Sequence, residues 1–214
     1  MSDKDIIESI FGWLGSLLSI YFFISPIHPF TKVLQNKIDF KDSPGILLLF
    51  TFMNCILWAV YGFLKNETQI YITNGLGGVI TLIWITIYLS YLGKNYFILS
   101  FIINIFLLIL ITSISHIFYH IIGEENTGFI AMIFNVLMFA APGEKIFQVF
   151  KNGKFELIPI FSSIGGFACS LCWLLFGIYQ KDLNIIIPNS IGLFLAIFQV
   201  MVYFIYYNKK KENK

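Results

Sequence analysis

Charged residues in this chain fall almost entirely in short gaps between seven long apolar runs. That pattern excludes most folds at once. The runs lie at 8–30, 44–64, 69–92, 96–119, 128–148, 157–179 and 184–207. Each is near the ~20 residues that carry a helix across ~30 Å of hydrocarbon. A helix also satisfies every backbone N–H and C=O within one segment, which lipid demands. Of 214 residues, 57% are hydrophobic and 12% are charged. A soluble domain carries about 25% charge, so this chain lacks the charge to coat a globule in water. Seven spans leave only short loops, which excludes a soluble enzyme and any large extramembrane domain. The net charge of +2 gives no basis for a nucleic-acid partner. The first residues, MSDKDIIES, are acidic and carry no basic n-region or cleavage site, so the first span is expected to be retained.

Lysine placement predicts orientation. All 14 basic residues are Lys. Eleven fall on one side: Lys32, Lys37, Lys41, Lys94, Lys145, Lys151, Lys154, Lys209, Lys210, Lys211 and Lys214. Three fall on the other, Lys4, Lys65 and Lys181, together with Glu124 and Glu125. The positive-inside rule puts the lysine-rich side in the cytoplasm. The N-terminus is then outside and the C-terminus inside, which demands an odd number of helices. The sequon Asn66-Glu67-Thr68 lies on the outer side but against the membrane, where it is expected to stay unused. Cys55, Cys169 and Cys172 sit inside spans and read as packing residues. His116 and His120 are spaced i, i+4 with no third ligand in view, so they read as solvated end residues and no metal is expected. His28 has no partner pattern.

The chain repeats itself at an offset of 115 residues. Phe40 meets Phe155, Pro44 meets Pro159, Trp58 meets Trp173, Gly62 meets Gly177, Asn74 meets Asn189 and Gly77 meets Gly192. Tyr88, Tyr91 and Lys94 meet Tyr203, Tyr206 and Lys209, and Pro26 meets Pro142 with a slip of one. Spans one to three therefore match spans five to seven. A three-helix unit ends on the side opposite its start, so one extra crossing is needed before the second copy begins. Span four supplies it. The predicted fold is an all-α membrane protein of seven transmembrane helices. Two parallel triple-helix bundles (8–92 and 128–207) are joined by a linker helix (96–119) and followed by a cytoplasmic tail (208–214). Parallel repeats of this kind form a transporter class.

The motifs NCILWAVYG (54–62) with TNGLG (73–77), and CSLCWLLFG (169–177) with IPNSIG (187–192), resemble those of the SWEET sugar transporters. SPIHPF (25–30) and AAPGEKIF (140–147) resemble the first helix of each repeat in that family. The resemblance covers residues 10–207. It implies a facilitative carrier of mono- or disaccharides. The PQ-loop amino-acid exporters and the KDEL receptors share the three-plus-one-plus-three topology; the absence of any Pro-Gln pair counts against the first.

A sugar needs amides or hydroxyls for its hydroxyl groups and flat aromatic faces for its C–H faces. Asn74 and Asn189 are repeat mates near mid-span, where an amide costs free energy unless it is hydrogen-bonded. Interhelical bonding is the plain reading; the resemblance implies that both bind sugar hydroxyls. It likewise implies that Trp58 and Trp173 bracket the sugar ring. Asn54 lies one helical turn before Trp58, and Cys169 holds the same place before Trp173. The family's pocket positions four and seven residues before Pro26 and Pro142 are here Phe22 and Ser19, and Met138 and Asn135. Phe22, Met138 and Asn54 are bulky, so a small cavity and a monosaccharide are expected. The set Pro26, Pro44, Pro142 and Pro159 acts as hinges in the family; starting a helix is the plain reading for Pro44 and Pro159. In some members a Tyr and an Asp placed like Tyr61 and Asp182 close an outer gate. Trp13 and Trp84 have no repeat mate and read as packing or interfacial residues.

No Asp, Glu, Lys or His falls in the middle of a span. Ion-coupled carriers and voltage sensors need such residues; an uncoupled, bidirectional uniporter of a neutral solute does not. A retinal-type receptor needs a helix lysine, and 184–207 has none. No catalytic constellation lies at membrane depth. The expected partners are a sugar and the bilayer, with no cofactor. One chain holds both half-units, so a monomer suffices, with a homo-oligomer left open. The membrane, plasma or internal, is not specified.

Overall fold

The structure is a computed structural model, and it describes residues 3–25, 27, 45–91, 102, 106, 113 and 117–212. Its helices are α1 (Asp3–Ile24), α2 (Gly45–Leu64), α3 (Thr68–Tyr91), α4 (Gly123–Met138), α5 (Ala140–Asn152), α6 (Ile160–Gln180) and α7 (Leu183–Glu212). A π-helical turn, Phe118–Ile122, leads into α4, and a 3-10 turn, Phe155–Leu157, precedes α6. Five helical stretches among the described residues are long and apolar enough to cross a membrane: 3–24, 68–89, 118–152, 160–180 and 183–211; α2 adds a shorter one. The span expected at 96–119 lies almost wholly outside the described residues, as do Pro26, Pro44, His28 and His116. The count of seven is therefore carried by the sequence.

Side-chain placement suits lipid rather than water. Phe161 is 85% exposed, Ile121 76%, and Leu17, Phe147 and Phe194 each 66%. Apolar surface on this scale does not persist in a soluble monomer.

The chain divides by contact into a terminal unit (Met1–Leu18 with Met132–Lys214) and a central unit (Ser19–Ala131). This division differs from the division by repeat, because the first turns of α1 belong to the terminal unit. In the central unit, Leu48, Phe52, Ile56, Val60 and Ile85 form an apolar core between α2 and α3. In the terminal unit, Ile146, Val149, Phe155, Ile158 and Val202 form the core where α5 and α7 meet the 3-10 turn.

Both units contain the same helical hairpin. The α2–α3 turn has Asn66 at φ 60° and the α6–α7 turn has Lys181 at φ 57°. This left-handed conformation lets Glu67 N donate to Gly62 O (2.8 Å) and Asp182 N donate to Gly177 O (2.9 Å). Asn accepts that conformation readily and Lys less so. Each turn closes tightly because a glycine sits beneath the next helix. A Cβ on Gly62 would lie 2.6 Å from Tyr71 N, and one on Gly177 would lie 2.9 Å from Ile185 Cγ2. The matched pairs Gly62/Gly177, Asn66/Lys181 and Ile70/Ile185 all keep the 115-residue offset.

The fifth span is not one helix over 128–148. It starts at Gly123, breaks at Phe139 and resumes as α5. Phe139 N donates to Val136 O (3.0 Å), a short turn that ends α4, and Gly143 N donates to Phe139 O (3.1 Å), which restarts the helix. Pro142 therefore falls in the first turn of α5, where its missing N–H is harmless. Pro159 stands one residue before α6, and its carbonyl accepts from Ser163 N (3.0 Å). This is the helix-starting position. Pro188 lies inside α7 and is fully buried.

Candidate functional site

The central unit holds Ser19, Phe22, Asn54, Trp58, Tyr61 and Asn74. The terminal unit holds Asn135, Met138, Cys169, Trp173, Asp182 and Asn189.

In the central unit, α2 carries Asn54, Trp58 and Tyr61 on consecutive turns, and all three are buried. The Trp58 and Tyr61 rings meet edge to face, 5.6 Å apart at 80°. The Lys65 ammonium donates to the Tyr61 hydroxyl at 3.3 Å and lies 5.5 Å from its ring centre. The Asn54 amide oxygen is buried without a hydrogen-bond partner among the described residues. A buried carbonyl in that condition costs free energy until a donor arrives. On α3, Asn74 is half-buried, and its amide nitrogen donates to Ile70 O at 2.9 Å.

The terminal unit repeats much of this. The Trp173 and Phe176 rings meet edge to face, 5.5 Å apart at 86°. The Asn189 amide nitrogen donates to Ile185 O at 2.8 Å. Each asparagine thus commits one N–H to its own helix, four residues back. Among the described residues that leaves the second N–H and the carbonyl oxygen, a donor–acceptor pair that matches a hydroxyl group. Copies differ at the Asn54/Cys169 position. The Cys169 Sγ is 4.0 Å from Gly15 O, and the Trp173 indole lies where a Cβ on Gly15 would meet it at 3.0 Å. Glycine at 15 therefore lets the indole lie against α1.

Asn135 and Met138 sit three residues apart on the last turn of α4, just before its break. Ser19 and Phe22 hold the corresponding interval near the end of α1. Asp182 is buried, and its carboxylate accepts from Asn184 N at 3.0 Å. It is the N-cap of α7, a structural job the sequence reading did not foresee. Among the described residues no group of three His, Cys, Asp or Glu could hold a metal ion, and the three cysteines are free thiols. His120 is exposed and meets the Tyr119 ring edge to face at 4.7 Å.

Comparison with known proteins decides the family. A family model described as "Sugar efflux transporter for intercellular exchange" matches the chain twice, at residues 9–96 and 125–211. The chain belongs to the SWEET family. The double match coincides with the internal repeat. The chain is 30% identical to the bidirectional sugar transporter SWEET7b of Oryza sativa subsp. japonica over 228 residues, covering 100% of this chain and 84% of that protein. It is 30% identical to the bidirectional sugar transporter SWEET1 of Arabidopsis thaliana, covering 98% and 87%. A solved structure of a eukaryotic SWEET transporter superposes with a TM-score of 0.83 at 24% identity, over 97% of this chain and 100% of that one. Family membership and the exposed apolar helices together make this a multi-pass integral membrane protein. Its relatives are named as transporters, not enzymes.

Two functional details escaped the sequence reading. The left-handed Asn66/Lys181 pair is not an identity, so a search for matching letters passes over it. Trp84, read as packing or interfacial, donates its indole N–H to Phe23 O at 2.9 Å.

Proposed function

We propose that this chain is a facilitative, bidirectional sugar uniporter that works by alternating access, with a monosaccharide as substrate. Its relatives are named for bidirectional sugar transport. One observation supports the reading: the same local arrangement of tryptophan and asparagine occurs in both repeats. Each copy has a tryptophan in edge-to-face contact with the ring three residues on, and an asparagine that gives one amide N–H to its own helix and keeps, among the described residues, a second N–H and a C=O to meet hydroxyls. Trp58 and Trp173 supply C–H contact surfaces, and Asn74 and Asn189 supply hydroxyl contacts. The unpartnered Asn54 oxygen adds a further acceptor for a sugar O–H. Phe22 and Met138 limit the room and favour one ring over two. The repeats 8–92 and 128–207 act as the moving halves, with the N-terminus outside and the C-terminus in the cytoplasm. Tyr61 and Asp182 serve at the outer gate, and the prolines at positions 26, 44, 142 and 159 serve at the inner one. With no charge in the middle of a span, no ion is coupled to transport.

Glucose uptake by the purified protein in liposomes tests this. Asn74→Ala and Asn189→Ala each abolish uptake while the protein stays folded; undiminished uptake refutes the site. Sucrose carried as fast as glucose refutes the monosaccharide assignment, and uptake driven by an imposed pH gradient refutes uniport.

A further inference from the structure

The end of α1 lies just ahead of Pro26, a residue with no N–H to offer the carbonyl of Phe22. Two neighbouring carbonyls there find donors elsewhere. Phe22 O accepts from Ser25 N (3.2 Å) and Ser25 Oγ (2.7 Å). Phe23 O accepts from the indole N–H of Trp84, on α3, at 2.9 Å. The Phe23 ring is also fixed to α3, since a Cβ on Gly77 would lie 2.4 Å from its Cε2. Phe23 is thereby held to α3 at two points about two helical turns apart, one by contact and one by hydrogen bond. Asn74 lies one turn from the first of these points.

The other repeat copies the contact and not the bond. Phe139 lies over Gly192, where a Cβ would meet its ring at 2.9 Å. Its carbonyl is taken by Gly143 N, which continues the chain as α5. Gln199, at the position of Trp84 in the repeat, accepts instead from Ser163 Oγ on α6 at 2.9 Å. The same position thus ties α3 to the end of α1 in one copy and α7 to the start of α6 in the other.

We propose that Trp84 is a positioning residue whose hydrogen bond to the Phe23 carbonyl fixes the end of α1 on α3, and so sets how Ser19 and Phe22 stand toward the turn of Asn74. Resting on the transport reading above, the proposal makes sugar affinity depend on a side chain that does not touch sugar. Trp84→Phe keeps an aromatic ring and removes the donor. In glucose uptake by liposomes, KM is expected to rise about three- to tenfold, the range of one lost hydrogen bond, with the maximal rate within about twofold of wild type. Trp84→Tyr, which returns a donor on an aromatic ring, is expected to recover most of the affinity. In the wild-type protein the Trp84 indole resonance, assigned by its loss in Trp84→Phe, should exchange slowly with deuterium. An unchanged KM in Trp84→Phe, or a fast-exchanging indole proton, overturns the proposal. Asn74→Ala, run alongside, separates the two failures. Unchanged uptake there sinks the site itself, whereas lost uptake there with a wild-type KM in Trp84→Phe sinks only the role of Trp84. If Trp84→Phe fails to fold, the wild-type exchange rate and the KM of Trp84→Tyr decide.

Discussion

Replacing Gly62 with alanine should damage this protein more than alanine at Gly177 or Gly75. The added Cβ would lie 2.6 Å from Tyr71 N and 2.8 Å from Ile70 Cβ. Ordinary contact begins near 3.4 Å, so α3 must retreat from α2 by most of an ångström. The nearest atom belongs to the backbone, and no rotamer change relieves the clash. Overpacking of this kind costs about 1–3 kcal/mol, and a backbone obstacle puts it at the upper end. Against this, a helix gains about 1 kcal/mol when Gly becomes Ala. The net loss is about 2 kcal/mol, or roughly 4–8 °C in melting temperature for a chain of this length. Gly177→Ala meets a side-chain methyl at 2.9 Å, which yields more easily, so its loss should be smaller. Gly75→Ala meets nothing within 4 Å among the described residues and should be neutral or mildly stabilising. The assay is thermal unfolding in detergent with a thiol-reactive fluorophore. Cys55 is fully buried, and Cys169 and Cys172 are half-buried, so all three gain reactivity on unfolding. If Gly62→Ala melts with the wild type, or above Gly75→Ala, the hairpin argument is wrong.

Two further outcomes follow from the same geometry. Asp182→Ala removes the cap of α7 and should cost about 1 kcal/mol, or roughly 2–4 °C in the same melt, whereas Asp182→Asn keeps a capping oxygen and should melt with the wild type. Lost uptake in a normally melting Asp182→Asn would then report a gate role that needs the charge. At the C-terminal end of α7, Lys210 Nζ donates to Glu156 Oε1 at 2.5 Å and lies 5.3 Å from the Phe155 ring centre. That hydrogen bond is the main reason the Glu156 carboxyl is held below the usual carboxylate range. A lowered folded-state pKa means the contact contributes above the unfolded value, about 4.3, and is lost as pH falls through the folded value. Amides near Lys210 should therefore lose protection from hydrogen exchange in acid, after correction for intrinsic rates. Glu156→Gln should show that loss already at neutral pH, with an unchanged global melt; identical exchange in both proteins would refute the clasp.

Much of this protein was legible in one dimension. Hydrocarbon thickness and backbone satisfaction turn apolar run length into helices, so α2, α3 and α6 fall within a few residues of the expected spans, while α1 begins five residues before its expected span and α7 runs five residues beyond. The 115-residue offset survives as the Trp58/Trp173, Asn74/Asn189 and Gly62/Gly177 pairs, because repeated packing needs repeated residue types. Tertiary structure decided what composition cannot encode. It placed the break of the fifth span at Phe139, ahead of Pro142, because a proline in the first turn of a new helix breaks nothing. It made Asp182 a cap, because its carboxylate accepts from Asn184 N in the first turn of α7. It gave Trp84 a partner 61 residues away and sent Gln199, at the same place in the other repeat, to a different helix. A hydrogen bond of that kind depends on which carbonyl a distant helix end brings within reach, and no pattern local to Trp84 records it.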